Sequence, residues 1–151
     1  MSTLSATYQL GNAECWGWNL PHKGGVSYYG PTWLGNEGDE FATNRSYVTT
    51  AGGGHTICLW NGTGSIVWCA GQNFQKQLGQ PDAYGISFSE QPLRVVGMKD
   101  MVKQVMVHSA GVCTVTHQNK VYCWGTLIDE HTGSASQRRT STPTAVPAPM
   151  N

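Results

Sequence analysis

The chain has 151 residues, of which 12% are charged, with nine basic residues balancing nine acidic ones. That is about half the usual share of charge. A neutral surface whose longest basic run is Arg138-Arg139 gives nothing for a phosphate backbone to bind, so nucleic acid is not an expected partner.

The opening Met1-Ser2-Thr3-Leu4-Ser5 lacks the basic and apolar regions of a secretory signal, and no run of 18 apolar residues offers a membrane-spanning helix. The 19 Gly and 7 Pro punctuate the chain and leave little room for helices of normal length. Thr3 to Leu10, the turn at Gly11-Asn12 and Ala13 to Trp18 predict a hairpin. Asn19 to Arg45 reads as a long irregular segment holding Tyr28-Tyr29, Pro31, Trp33 and the acidic Glu37 to Glu40. A connection of that length is where a functional excursion is expected. Ser46 to Thr50, Thr56 to Trp60 and Ile66 to Cys69 are predicted strands, the last two joined by a turn at Asn61 to Ser65. Val102 to Val107, Gly111 to Thr116 and Val121 to Gly125 repeat the pattern, with Gln118-Asn119 as the second turn. Pro92-Leu93-Arg94-Val95 and Pro143-Thr144-Ala145-Val146 share Pro-x-x-Val, which suits an outer edge strand.

These elements recur with a fixed period. Cys15-Trp16-Gly17, Cys69-Ala70-Gly71 and Cys123-Trp124-Gly125 are three copies of one motif spaced 54 residues apart, from 15 to 69 and from 69 to 123. A period of this size signals a repeat architecture, each copy one supersecondary unit that cannot bury its apolar face alone. Four short antiparallel strands per unit make the blade of a β-propeller. The predicted fold is all-β: a partial propeller of about three blades, divided as 1–45 (an incomplete first blade with its long segment), 46–100 and 101–151. The first unit lacks its opening strand, for about eleven strands in all.

Gly52-Gly53-Gly54-His55-Thr56-Ile57-Cys58-Leu59 before the second motif and Gly71-Gln72-Asn73-Phe74-Gln75-Lys76-Gln77-Leu78-Gly79 after it resemble the repeat of the regulator of chromosome condensation family. That family's pattern reads roughly Gly-x-x-His-Thr-Cys-Ala-Leu, a turn, Val-x-Cys-Trp-Gly-x-Asn-x-x-Gly-Gln-Leu-Gly, then Pro-x-x-Val. The resemblance extends over about 2.75 repeats and implies a β-propeller, which in the family usually closes with seven blades. The first unit has no Pro-x-x-Val and replaces the element after Trp18-Asn19. The third loses Gln-Leu-Gly after Gly125, and at its His-Thr step it reads Gly111-Val112-Cys113-Thr114.

The resemblance to secreted members implies a disulfide between Cys113 and Cys123, and opposed positions on neighbouring antiparallel strands permit one. Cys58 and Cys69 are a second candidate pair, but their hairpin has a longer turn, so a bulge is expected to bring them into register. Cys15 has Ser5 at the matching place and hence no such partner. The alternative is buried free thiols. Disulfides would imply an extracellular or cell-surface setting.

No Cys-x-x-Cys pair supports zinc, although His55 with Cys58 and Cys69, or Cys113 with His117 and Cys123, offer ligand types on one hairpin. No metal or cofactor is expected. No nucleophile elbow, phosphate loop or zinc-protease motif is present, and Asp39-Glu40 and Asp129-Glu130 are adjacent pairs in expected loops. Asn44-Arg45-Ser46 and Asn61-Gly62-Thr63 are glycosylation triplets, the latter already explained as a turn.

Trp16 and Trp124 hold the family's repeated packing position. Tyr28, Tyr29 and Trp33 lie where no repeat packing demands them, so they are the candidate contact residues for a protein or a glycan. The function expected is a non-enzymatic protein-interaction or structural module. A glycan-binding propeller is the alternative, and nucleotide exchange on a small GTPase, the founding family member's activity, a remote one. Open blade faces and an unpaired edge favour self-association or a protein partner, with contacts expected from residues 1–18 and 121–150.

Overall fold

The computed structural model describes the backbone of residues 4–7, 13–17, 28–33, 48–53, 55–61, 64–83, 85–128 and 137–147, and side chains within 55–60, 64–83, 85–127 and 139–147. Among the described residues, eleven strands form three antiparallel sheets. The first holds β1 (Leu4–Thr7), β2 (Ala13–Gly17) and β3 (Tyr28–Trp33) in that order. The second runs β4 (Val48–Gly53), β5 (Thr56–Asn61), β6 (Val67–Gln72) and β7 (Phe88–Arg94). The third runs β8 (Val102–Val107), β9 (Gly111–Thr116), β10 (Val121–Ile128) and β11 (Gln137–Val146).

Cys69 and Cys123 stand on β6 and β10, the third strands of complete blades, and Cys15 stands on β2, the middle of a sheet of three. The first sheet therefore supplies second, third and outer strands. Its neighbours agree, because β1 lies beside β4 as β5 lies beside β8.

In all three sheets the pairing of third and outer strand shifts just past the cysteine. Cys15 faces Thr32 and Gly17 faces Tyr28; Cys69 faces Leu93 and Gly71 faces Ser89; Cys123 faces Thr144 and Gly125 faces Thr140. Opposite the single residue Trp16, Ala70 or Trp124 the outer strand therefore spends three residues, ending in Pro31, Pro92 or Pro143. Proline has no N–H to give a ladder, so an irregularity on an outer strand is where it fits. Pro31-Thr32-Trp33-Leu34 is the first sheet's copy of Pro-x-x-Val, with Leu for Val. Two expectations are corrected here: the first unit does keep this element, and 19–45 is not wholly irregular. The copy is hidden because the connection 18–27 is shorter than its counterpart 73–87, which moves Pro31 out of period. The extra length lies instead in 34–47, twice the span of the equivalent 95–101.

The motif glycine follows from the same geometry. Gly71 and Gly125 sit at φ 109° and 96°, where side chains rarely go, and a Cβ at Gly125 would stand 2.6 Å from the Ala110 carbonyl oxygen. A Cβ at Gly71 would collide with the His55 carbonyl oxygen.

Cys58 stands directly opposite Cys69, with no irregularity between β5 and β6. The expected bulge is absent, because the additional residue is taken up by the connection 61–66, against 116–120 in the third sheet. Both pairs are disulfides, with Cα atoms 4.1 Å apart in each. Cys15 faces Ser5, as expected.

Strand alternation places the core. Along β9, rich in β-branched residues suited to a pleated surface, Val112, Thr114 and Thr116 are buried while Cys113 and Val115 are half-buried. One irregularity in β8 between Val102 and Gln104 puts Val102 and Val105 on one side. These valines, with Val112 and Trp124, pack against Cys58, Trp60, Val67 and Cys69 of the second sheet and against Leu78 and Val95 of its connections.

Candidate interaction surface

The junction between second and third blades is locked by the connection 73–87. Asn73, 1% exposed, organises it: its Nδ2 donates to the carbonyls of Ala83 and Ile86, each at 2.9 Å, and its Oδ1 accepts the Leu78 N–H at 3.1 Å. A buried amide so satisfied holds a loop in one shape. Leu78 is thereby set into the core, and the Gln77 carbonyl accepts the indole N–H of the fully buried Trp124 at 2.7 Å. A polar tier lies beside it. Gln75 Oε1 accepts from Thr126 Oγ1 at 2.6 Å and from Arg139 Nη2 at 2.9 Å, and Gln77 Nε2 donates to the Ser109 carbonyl at 3.3 Å.

The two disulfide faces differ in cover. On the second blade, Cys58 and Cys69 are 0% exposed, and Trp60, Val67 and Val95, in the next row, are buried under the third blade. On the third blade the equivalent row is Val115, Val121 and Val146, joined by direct pairing. Val115 and Val121 are half-buried, and Val146 is 43% exposed where Val95 is 4%. Met106, opposite Cys113 on the inner strand, is 42% exposed. This is an apolar sheet face of the kind that marks interaction sites.

On the opposite side of the third blade, Tyr122 donates its hydroxyl proton to Asp100 Oδ2 at 2.8 Å, with Lys120 Nζ at 3.3 Å from the same oxygen. The tyrosine bond, with help from Lys120, lowers the Asp100 pKa below its ordinary 3.8, and the same bond raises Tyr122 above 10.0.

Tyr28, Tyr29 and Trp33 lie together on β3, the outer strand of the first sheet. Tyr28 faces Gly17, Trp33 faces Glu14, and Tyr29 falls in the register shift. Their side chains lie outside the described ones, as does the acidic run 37–40. The premise that they stand outside the repeat does not hold, since β3 is the repeated outer strand. Asn44 and the side chain of Asn61 are likewise outside the described residues. Among the described residues no group of His, Cys, Asp and Glu could hold a metal, and no helix is long and apolar enough to cross a membrane. Sequence reasoning missed the Gln75–Thr126–Arg139 tier, whose members come from different repeats. It also missed Met106 and Val146, whose exposure depends on which side of each blade is covered.

No family model matches the chain, and no curated protein matches it. Solved structures do. Human WBSCR16 is similar with a TM-score of 0.77 at 15% identity, over 97% of this chain and 36% of that one. The chain has the fold of part of an RCC1-like β-propeller. Prp20p of Saccharomyces cerevisiae, in a study of its binding to Gsp1p and histones, superposes with a TM-score of 0.68 at 18% identity, covering 96% of this chain and 36% of that one. Yeast RCC1 (Prp20) bound to Kap60 gives 0.64 at 18% identity, covering 89% and 33%. The chain thus spans about a third of the length of these propellers.

Proposed function

We propose that the chain is a non-enzymatic protein-interaction or structural module whose rigid blades present a contact surface to a protein partner. The observation that carries this is the apolar disulfide face of the third blade, left open where the same face of the second blade is covered. The similar propellers add support, since Prp20 is a protein-binding propeller, studied for its binding to Gsp1p and histones and seen bound by Kap60. Two disulfides fit an oxidising, extracellular or cell-surface setting. Tyr28, Tyr29 and Trp33 are proposed as a second contact on the outer strand of the first blade.

The test is retention of proteins from an extract of the source by the immobilised chain, repeated with Val146→Glu and with Trp33→Ser. A protein held by the parent chain and lost with either variant supports the reading. Turnover on a broad substrate panel, abolished by one point change, would overturn it.

A further inference from the structure

The covered face of the second blade shows what the open face of the third is built to receive. What lies on Cys58–Cys69, Trp60, Val67 and Val95 is a sheet bearing Val112 directly opposite Trp124. In the first sheet, Leu4 stands directly opposite Trp16, and Trp16 occupies the same register shift as Trp124. The chain therefore pairs a leucine with a tryptophan in its first sheet at the register that Val112 and Trp124 hold in the third, and carries a disulfide-bearing, apolar face on the third blade. These are the two halves of the junction it already makes internally.

We infer that a second copy of this chain docks head to tail, the Leu4–Trp16 side of its first sheet on the Cys113–Cys123 face of the third blade. This rests on the proposed interaction role and names one partner for it. The contact is heterologous, a sheet of one kind on a sheet of the other, so it can close into a ring or continue, but it cannot be satisfied by two like faces. It is weaker than the internal junction for two reasons. The first sheet has no described inner strand to match Val102 and Val105, and the residues 129–136 after β10 contain no Gln-Leu-Gly to offer Trp16 a carbonyl.

Light scattering on the oxidised full chain at about 100 µM, a loading that fills a micromolar contact, reads the result. The parent chain is expected at two or more chains per particle. Val146→Glu and Leu4→Glu are each expected at one, and their equimolar mixture at two, because each variant keeps the half the other lacks. Circular dichroism and the mass of both disulfides verify folding. Ala6→Glu, on the same strand, replaces Leu4→Glu should that variant not fold. A parent chain that stays single, a Leu4→Glu variant that still associates, or a mixture that does not pair would each overturn the inference. A single-chain parent that still retains a partner protein through Val146 would remove self-association and leave the interaction role standing.

Discussion

Replacing Trp124 with Ala removes the element that joins the two complete blades. The indole is 0% exposed, fills the space between Leu78, Val95 and the Cys58–Cys69 face of the second sheet, and supplies the donor for the Gln77 carbonyl. Truncating a buried Trp costs about 3–5 kcal/mol through lost transfer energy and cavity, and the stranded carbonyl adds about 1–3 kcal/mol if no water reaches it. Against a total stability of about 5–15 kcal/mol this is a large fraction. With a urea slope of about 2 kcal/mol per molar, a loss of about 4 kcal/mol moves the midpoint down by roughly 2 M. Equilibrium unfolding followed by far-ultraviolet circular dichroism under oxidising conditions measures it. Trp124→Phe keeps most of the volume and loses the donor, so it isolates the hydrogen bond and should fall well short of the Ala variant. A midpoint shift below about 0.5 M for Trp124→Ala would refute the idea that this indole locks the blades.

Two further outcomes follow from the described side chains. Intact mass of native, unreduced protein should be lower by about four hydrogens than the reduced chain, with Cys15 the one alkylatable thiol. Reduction should remove roughly 2–3 kcal/mol per bridge, and five alkylatable thiols would contradict both bridges. Tyr122→Phe should change the acid limb of stability: the lowered Asp100 pKa means its bond to Tyr122 stabilises above the ordinary value of 3.8 and is lost as pH falls through the lowered folded value. The raised Tyr122 pKa gives a contribution present below 10.0 and lost as pH rises through the folded value. The difference between parent and variant should therefore be flat between those limits and shrink as pH falls through the titration of Asp100 or rises through that of Tyr122; a difference that stays constant while Asp100 is protonated would show that the bond is not its source.

Much of this architecture was legible because repetition converts weak local signals into a strong one. The Cys-Trp-Gly copies on β2, β6 and β10 fixed the blade unit, and the turn at Gln118-Asn119 was readable from residue type, with Asn119 at φ 60°. Pro31 was not recognised as the third outer-strand proline, because loop length varies freely while strand pairing does not. The register of Cys58 with Cys69 escapes the spacing argument for a similar reason: an odd separation can be absorbed in a turn without any bulge in the ladder. Candidate contact residues were the least legible. Loop length and composition set Tyr28, Tyr29 and Trp33 outside the repeat, whereas the pairing puts them on one of its strands. The exposure of Met106 and Val146 is a property of packing between blades, which local sequence does not encode.

The lock shows a pattern of joint presence and joint loss that yields a last prediction. Across the second-to-third junction both parts exist, Trp124 and Gln77-Leu78-Gly79. Across the first-to-second junction both are gone, with Ala70 at the Trp position and no Gln-Leu-Gly in residues 18–27. Physical chemistry accounts for the pairing, since a buried indole N–H without an acceptor, or a buried loop carbonyl without a donor, is penalised by its desolvation. The third unit offers Trp16 no such loop, since residues 129–136 contain no Gln-Leu-Gly. Grafting residues 73–87 in place of 129–136 would supply that loop at the end of the third blade. One added hydrogen bond worth about 0.5–1.5 kcal/mol, with the burial of a leucine beside it, should tighten self-association by at least about tenfold. Sedimentation velocity over a dilution series measures the change. The acceptor is the Gln77 backbone carbonyl, so the control is a graft carrying Asn73→Ala, which should undo the loop's shape and return the affinity to that of the parent. A graft that folds with both disulfides yet leaves the affinity unchanged would show that Trp16 does not take the place that Trp124 holds.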